Sequence, residues 1–200
     1  MGYCLMPYAV KVEKLKELVG SKDDKFCEQF QKKGGPRAMK YSKFNHTLIH
    51  HDRTDADNDK IENPFDDDTH MYWYAIEVWC QMLGKELSNN HYYAMSSGWF
   101  DTIDNEAKKV GIETNKLPGN LIYNGLPITS QEQKLNTADD FPCVGHLLYS
   151  DMNNIVDRVL SEEALEKLED HDVKDALIEY KKWLTNDCIP NECDLVLYYY

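Results

Sequence analysis

"CDLVLYYY", residues 193–200, is the stretch that decides the fold of this chain. Its unbroken run of aliphatic and aromatic side chains predicts a buried terminal strand. Side chains alternate between the two faces of a strand, so we expect Tyr199 to face the side opposite Tyr198 and Tyr200.

Two other stretches predict strands that can pair with this one. "GYCLMPYAV" (2–10) reads as a short strand, and Pro7 should confine it to a sheet edge or introduce a bend. "CVGHLLYS" (143–150) predicts a third strand. Residues 112–142 are rich in Pro, Gly, Asn and Asp and predict a loop, with one short strand around "NLIYNG".

The clearest helical pattern of the chain ends at Gly84. Its apolar side chains recur at helical spacing: Met71, Tyr74, Ala75, Val78, Trp79, Met82 and Leu83. Similar patterns predict helices over 12–19, 21–33, 97–110, 151–160 and 172–185. Gly34-Gly35-Pro36 should end the second of these, and residues 36–65 are expected to be irregular and polar.

The order strand, helices, strand, helices, strand predicts an α+β fold. We expect a small mixed or antiparallel sheet with several helices packed against it. A length of 200 residues suits one domain, 1–200, with an acidic loop excursion at about 45–68.

The net charge of the chain limits the classes of partner that it can bind. Thirty-five acidic against 22 basic residues give a net charge of -13. Such a field repels phosphate groups, so we expect no nucleic-acid partner and no binding to anionic membranes; it favours basic partners, metal ions or plain solubility. The N-terminal sequence is not that of a signal peptide, and the six scattered cysteines indicate reduced thiols, so we expect a cytoplasmic protein.

Several segments together carry a resemblance to a known family. They are "GYCLMPYAVKVEKLKELVGSKD", "AIEVWCQMLGKEL", "DDFPCVGHLLYSDMNNIV" and "ALIEYKKWLTNDC…CDLVLYYY". In order and character they resemble the YfbM-like family of small bacterial cytosolic proteins. The resemblance implies a similar architecture over most of the chain, but it implies no catalytic residues.

The stretch 46–59 is the candidate metal site. Its oxygen and nitrogen ligands are His46, His50, His51, Asp52, Asp55, Asp57 and Asp59. The aspartates alternate as in a calcium loop, but Lys60 stands where that loop needs Gly. His46 and His50 would share a helical face, whereas the strand that "TLI" favours would separate them by about 13 Å. A weakly bound divalent metal and a plain polar loop both remain open.

No catalytic signature is complete. The chain has no nucleophile elbow and no phosphate-binding loop, and Cys143 and His146 would point to opposite faces of their strand. Cys188 and Cys193 cannot complete a four-ligand zinc site by themselves, which favours core or loop thiols.

Two functional hypotheses follow. The first is a small acidic binding protein without catalysis that neutralises or sequesters a basic protein partner, as immunity and defence proteins do. Its candidate contact residues are aromatic, although such rings also border cores: Tyr72, Tyr92, Tyr93 and Trp99. The second is a metal-binding protein or metal-dependent hydrolase that uses the stretch 46–59.

Overall fold

A four-stranded antiparallel sheet forms the centre of the computed structural model, which describes residues 3–50, 68–128 and 142–200. The strand order is β2-β1-β4-β3. The strands are β1 (Leu5–Val10), β2 (Lys85–Glu86), β3 (Cys143–Leu147) and β4 (Asp194–Tyr199). The α+β prediction is therefore confirmed, with a sheet that is antiparallel throughout the described residues.

The sheet is apolar on both faces. Leu195, Leu197 and Tyr199 of β4 belong to one hydrophobic core. Val196 and Tyr198 belong to a second core on the opposite face, against which Tyr200 also packs. The predicted alternation of the three tyrosines is thus confirmed, and each face needs its own cover of helices.

The N-terminal helices cover the face that carries Tyr198. They are α1 (Val12–Leu18), α2 (Asp24–Lys33), α3 (Gly35–His50) and α4 (Thr69–Leu83). The α4 helix is the most deeply buried of them, with Trp73 and Trp79 almost wholly enclosed. This agrees with the strongest apolar pattern in the sequence.

The C-terminal helices cover the face that carries Tyr199. They are α5 (Trp99–Lys109), α6 (Pro118–Leu121), α7 (Tyr149–Asn154), α8 (Glu162–Glu166) and α9 (His171–Lys182). Of the helices in the described ranges, none is both long and apolar enough to cross a bilayer. The expected strand around "NLIYNG" is wrong, because α6 and a turn occupy that stretch.

The α3 helix corrects the prediction that residues from 36 onward are irregular. Gly34 does end α2, since its N–H donates to the Phe30 carbonyl oxygen at 3.0 Å. Gly35 has a φ of +64°, which turns the chain, and Pro36 then lies in the first turn of α3, where no helical N–H partner is needed. The Gly-Gly-Pro sequence therefore joins two helices.

Pro7 lies in an interior strand, which corrects the expected edge or bend. Its carbonyl oxygen accepts from Leu87 N–H at 2.9 Å, on the β2 side of β1. The ring nitrogen of an extended residue points to the same side as its carbonyl, so the missing N–H faces β2 and not β4. The ladder between β1 and β4 therefore loses no hydrogen bond at Pro7, which lies opposite Leu197.

Asp194, the first residue of β4, connects the two helical layers. Its Oδ2 accepts from Val12 N–H at the start of α1, at 2.8 Å. Its Oδ1 accepts from Tyr149 N–H at the start of α7, also at 2.8 Å. A carboxylate at a helix start satisfies an unpaired N–H and complements the helix dipole. Here one side chain does so for a helix of each layer.

Gly145 allows the turn after α6 to lie directly on β3. A Cβ atom built on Gly145 would come 1.8 Å from the Leu121 carbonyl oxygen and 2.6 Å from the Ile122 Cα. Both are backbone atoms, so no side-chain rotation can relieve the overlap.

We expect Gly145→Ala to lower the free energy of unfolding by about 2 kcal/mol, because the backbone of 121–122 must move off the sheet. Gly98→Ala is the matched control, since a Cβ there meets no atom within 4 Å. Urea unfolding of both variants measures the difference. Equal stability of the two variants would contradict the close contact.

Candidate functional site

The structure places the sequence-derived metal ligands only in part. His46 and His50 lie in α3, so the predicted strand over 47–49 is wrong, and their rings stack with centroids 4.2 Å apart. The remaining candidates, His51, Asp52, Asp55, Asp57 and Asp59, lie outside the described residues. Within the described ranges, no group of three His, Cys, Asp or Glu side chains could hold a metal ion.

The four aromatic candidates divide into buried and accessible residues. Tyr72 and Tyr92 are 6% and 0% exposed, so their rings belong to the two cores and not to a contact surface. Tyr93 is 65% exposed, and Trp99 is half-buried at the start of α5. Both accessible rings lie in or directly beside the loop 88–98, which we call the anchored loop.

The anchored loop is fixed to the sheet by hydrogen bonds to one strand. Leu5 N–H of β1 donates to the Tyr92 carbonyl oxygen at 2.8 Å. The Asn89 side-chain amide donates to the Leu5 carbonyl oxygen at 2.9 Å. Tyr3 and Met95 form an isolated antiparallel bridge a few residues away. The loop therefore behaves as an added edge of the sheet.

Glu179 of α9 fixes the same loop from the helical side. This carboxylate is 5% exposed, and it accepts from the main-chain N–H groups of Asn90 at 3.0 Å and His91 at 2.9 Å. The His91 Nδ1 atom lies 3.0 Å from the same carboxylate. Burial alone would raise the pKa of Glu179, but these hydrogen bonds to the charged form outweigh it, and the pKa is lowered.

Two further bonds define how the aromatic rings are held. The Tyr92 hydroxyl donates to the Ala176 carbonyl oxygen in α9 at 3.1 Å. The Trp99 indole N–H donates to the His91 carbonyl oxygen at 2.8 Å. Between them, Ala94 has a φ of +56°, the left-handed conformation of a tight turn. Tyr93 is thus held out into solvent by neighbours that are themselves fixed.

A run of exposed carboxylates leads into α9, the helix that holds this loop, and ends in its first turns. The segment 157–175, called here the acidic segment, has eight acidic against three basic residues. Seven of the eight carboxylates are exposed: Asp157, Glu162, Glu163, Glu166, Glu169, Asp172 and Asp175. Within the part of the chain that the structure describes, only Glu163 of these seven forms an ion pair, with Lys167 at 2.7 Å. The others leave their charge unneutralised.

Glu77 in α4 is a second buried carboxylate, and it has a different environment. It accepts from the Tyr8 hydroxyl at 2.8 Å, from the Tyr200 hydroxyl, and from Arg37 Nη1 at 3.2 Å. Burial dominates here and raises the pKa of Glu77, although both phenols and the arginine oppose the shift. All of these groups are paired with one another, so the cluster reads as a connection between α3, α4 and the sheet.

Sequence reasoning missed both buried carboxylates. Glu179 lies three residues after Ala176 and four before Trp183, on the apolar stripe of α9. That position was the available signal, because a carboxylate on a core-facing stripe needs buried donors. The donors themselves come from a loop some ninety residues earlier, which periodicity cannot reveal.

The comparisons with known proteins identify the family of the chain. The model of the family described as a domain of unknown function (DUF7691) matches residues 1–200, so the chain belongs to this family. Neither the curated proteins nor the solved structures contain a match to it. The resemblance to the YfbM-like family stays a prediction.

We expect Glu179→Gln to lower the free energy of unfolding by about 2 kcal/mol near pH 7, because the Asn90 and His91 N–H groups lose a charged acceptor. The folded pKa lies below the ordinary value of 4.5. The stabilisation by the carboxylate is therefore present above pH 4.5 and is lost as the pH falls through the folded pKa. Urea unfolding at several pH values should show the difference from wild type shrinking in acid.

Amide hydrogen exchange gives the local test of the same variant. The Asn90 and His91 amides should exchange faster in Glu179→Gln, whereas Glu169→Gln, an exposed residue, should leave them unchanged. Unaltered exchange in Glu179→Gln would show that the anchored loop does not depend on this carboxylate.

Proposed function

We propose that this member of the DUF7691 family is a binding protein without catalysis that engages a basic protein partner and so neutralises or sequesters it. Immunity and defence proteins act in this way. The observation that carries the proposal is an exposed aromatic ring, Tyr93, on an anchored loop that contacts α9, the helix into which the acidic segment leads.

Rigidity is the first physical argument for this surface. Ordering a flexible loop on binding costs free energy, which a loop already fixed in the free protein avoids. The anchored loop is bonded to β1 on one side and to Glu179 on the other. A fixed tyrosine also offers a large amphipathic contact with only two side-chain torsions to restrict.

Charge is the second argument. The exposed carboxylates of α9, Asp172 and Asp175, lie in the turn of helix directly before Ala176, whose carbonyl oxygen holds Tyr92. A negative patch beside an aromatic anchor suits a partner that presents lysine or arginine around an apolar spot. Such charges accelerate the encounter, and salt screens them over about 8–10 Å.

The test is affinity capture from the native host with two variants of equal net charge. The first variant combines three substitutions in the acidic segment: Glu166→Gln, Glu169→Gln and Asp175→Asn. The second variant, the control, combines three substitutions on α1 and α2: Glu13→Gln, Glu17→Gln and Glu28→Gln. We expect a basic protein to be retained by wild type and by the second variant, with the first binding about tenfold more weakly at low salt. Surface plasmon resonance with the captured protein measures the affinities.

Tyr93→Ser supplies the contact test. Loss of the Tyr93 ring should raise the dissociation rate of the complex and leave the salt dependence of its association rate unchanged. Equal weakening by the two charge variants would indicate non-specific attraction and contradict the proposed surface. Retention of a partner whose binding ignores ionic strength would contradict it as well.

Metal binding is the second candidate function, and one observation favours it. The helical form of α3 places His46 and His50 side by side, with their rings stacked, and rotation of the side chains would let both nitrogens face one ion. The His50 Nε2 atom is shielded from solvent and lies 3.1 Å from Asp24 Oδ1, but without an aligned hydrogen bond. Asp24 could then join the two histidines as an oxygen ligand.

Elemental analysis of the untagged chain decides this alternative. If it holds, the chain should contain metal at about one equivalent, and added zinc or manganese should raise the melting temperature, because a ligand of the native state alone stabilises it. His50→Ala should lose the metal, and Cys193→Ala should retain it. Unchanged melting with calcium, manganese and zinc would exclude the site.

A further inference from the structure

Cys188 and Cys193 occupy the two ends of one helix-terminating motif. After α9 the chain continues through a π-helical turn, Trp183–Cys188, and a short 3₁₀ turn, Ile189–Asn191. Cys193 N–H donates to the Cys188 carbonyl oxygen at 3.0 Å, and Glu192 N–H to the Ile189 carbonyl oxygen at 3.2 Å. With a φ of +50° at Glu192, this is a Schellman motif, whose two end residues normally make a side-chain contact.

The hydrogen bond limits the distance between the two cysteines. With standard bond lengths and the 3.0 Å contact, their Cα atoms are at most about 7 Å apart, and the bent path makes them closer. Disulfides form at Cα separations of about 4.4–6.8 Å. Both sulfurs also lie against the backbone of 191–194: Cys188 Sγ is 3.9 Å from the Asp194 carbonyl oxygen, and Cys193 Sγ is 3.5 Å from that of Asn191.

The two thiols differ in access. Cys188 is wholly buried, and burial together with Cys193 raises its pKa to about 12. Cys193 is half-buried; burial raises the pKa of its thiol, but Lys11 and Lys14 lower it. Because solvent reaches Cys193 and not Cys188, Cys193 is the sulfur that a peroxide meets first, and Cys188 is the one that resolves the product.

From this geometry we propose that Cys188 and Cys193 form a redox-active dithiol, which a hydroperoxide oxidises to an intramolecular disulfide. The Cys193 thiolate attacks the peroxide: a sulfur–oxygen bond forms, the oxygen–oxygen bond breaks, and the leaving alkoxide takes up a proton. Cys188 sulfur then attacks Cys193 sulfur, and the hydroxyl group leaves with the Cys188 proton as water. Two electrons pass from the thiols to the peroxide, which becomes an alcohol and water.

The fold accommodates this bond with little movement. The Schellman motif already closes the loop that the disulfide would close, so the native state gains no new turn. The unfolded chain, in contrast, loses freedom when the loop is cross-linked. Oxidation should therefore stabilise the junction between α9 and β4 and leave both layers in place.

The test treats the reduced full-length chain with one equivalent of hydrogen peroxide, followed by alkylation and peptide mass mapping. We expect one linkage, Cys188 to Cys193, that dithiothreitol reverses, and a melting temperature a few degrees higher in the oxidised chain. Cys193→Ser should abolish the linkage, and Cys27→Ser, which removes a half-buried cysteine in the other layer, should not.

A resolving-cysteine variant separates the two steps. In Cys188→Ala, checked for native circular dichroism, dimedone should trap a sulfenic acid at Cys193. If that variant does not fold, the mapping of wild type and Cys193→Ser decides the question. Linkages among other cysteines, or oxidation of Cys193 to the sulfinic acid while Cys188 stays alkylatable, would overturn the proposal.

Discussion

Pairing between β1 and β4 is the interaction on which the rest of the structure depends. The two strands lie at opposite ends of the chain, with Leu5 opposite Tyr199, and together they form the middle of the sheet. Antiparallel sheets often leave one face in water, but these strands are apolar on both faces. Everything between them must therefore supply two layers of helices, and the chain divides its helices in sequence order between the two faces.

The two buried carboxylates illustrate how burial and hydrogen bonding compete inside such layers. Glu77 faces phenols and a half-exposed arginine, and the loss of water remains the larger effect on its pKa. Glu179 faces main-chain N–H groups that are fixed in direction, and these outweigh the loss of water. The first environment favours a carboxyl group that takes up a proton readily. The second favours a permanent charge that orders a loop.

The sequence predicts well those strands and helices that are determined by the pattern of side chains within their own segment. The alternation in 193–200 and the apolar stripe of α4 depend on side chains within one segment, and both are present as expected. The α3 helix escaped prediction because Gly34-Gly35-Pro36 resembles a stop signal and because the polar Asn45 interrupts its buried stripe, although that stripe has helical spacing. The buried Asn45 is explained by partners on other helices: its Oδ1 accepts from the Trp79 indole N–H at 2.7 Å, and its Nδ2 donates to Cys27 Sγ at 3.5 Å.

The candidate surface was predictable only in part, because it too depends on partners that are distant in the sequence. Tyr92 and Tyr93 are adjacent and chemically identical, yet one is buried and the other exposed. The difference comes from the bonds of Tyr92 to Leu5 and Ala176, which lie far away in the sequence. The adjacent tyrosines mark this segment as a candidate contact surface. No local pattern shows which of the two rings is buried.

The double contact of Asp194 has a consequence for how the molecule comes apart. One carboxylate serves the first N–H of α1 and the first N–H of α7, so opening either layer leaves the other layer with a less well-satisfied helix start. The layers are therefore thermodynamically dependent, although their hydrophobic cores lie on opposite faces of the sheet. Unfolding should be one cooperative event, and neither half of the molecule should form a stable unit alone.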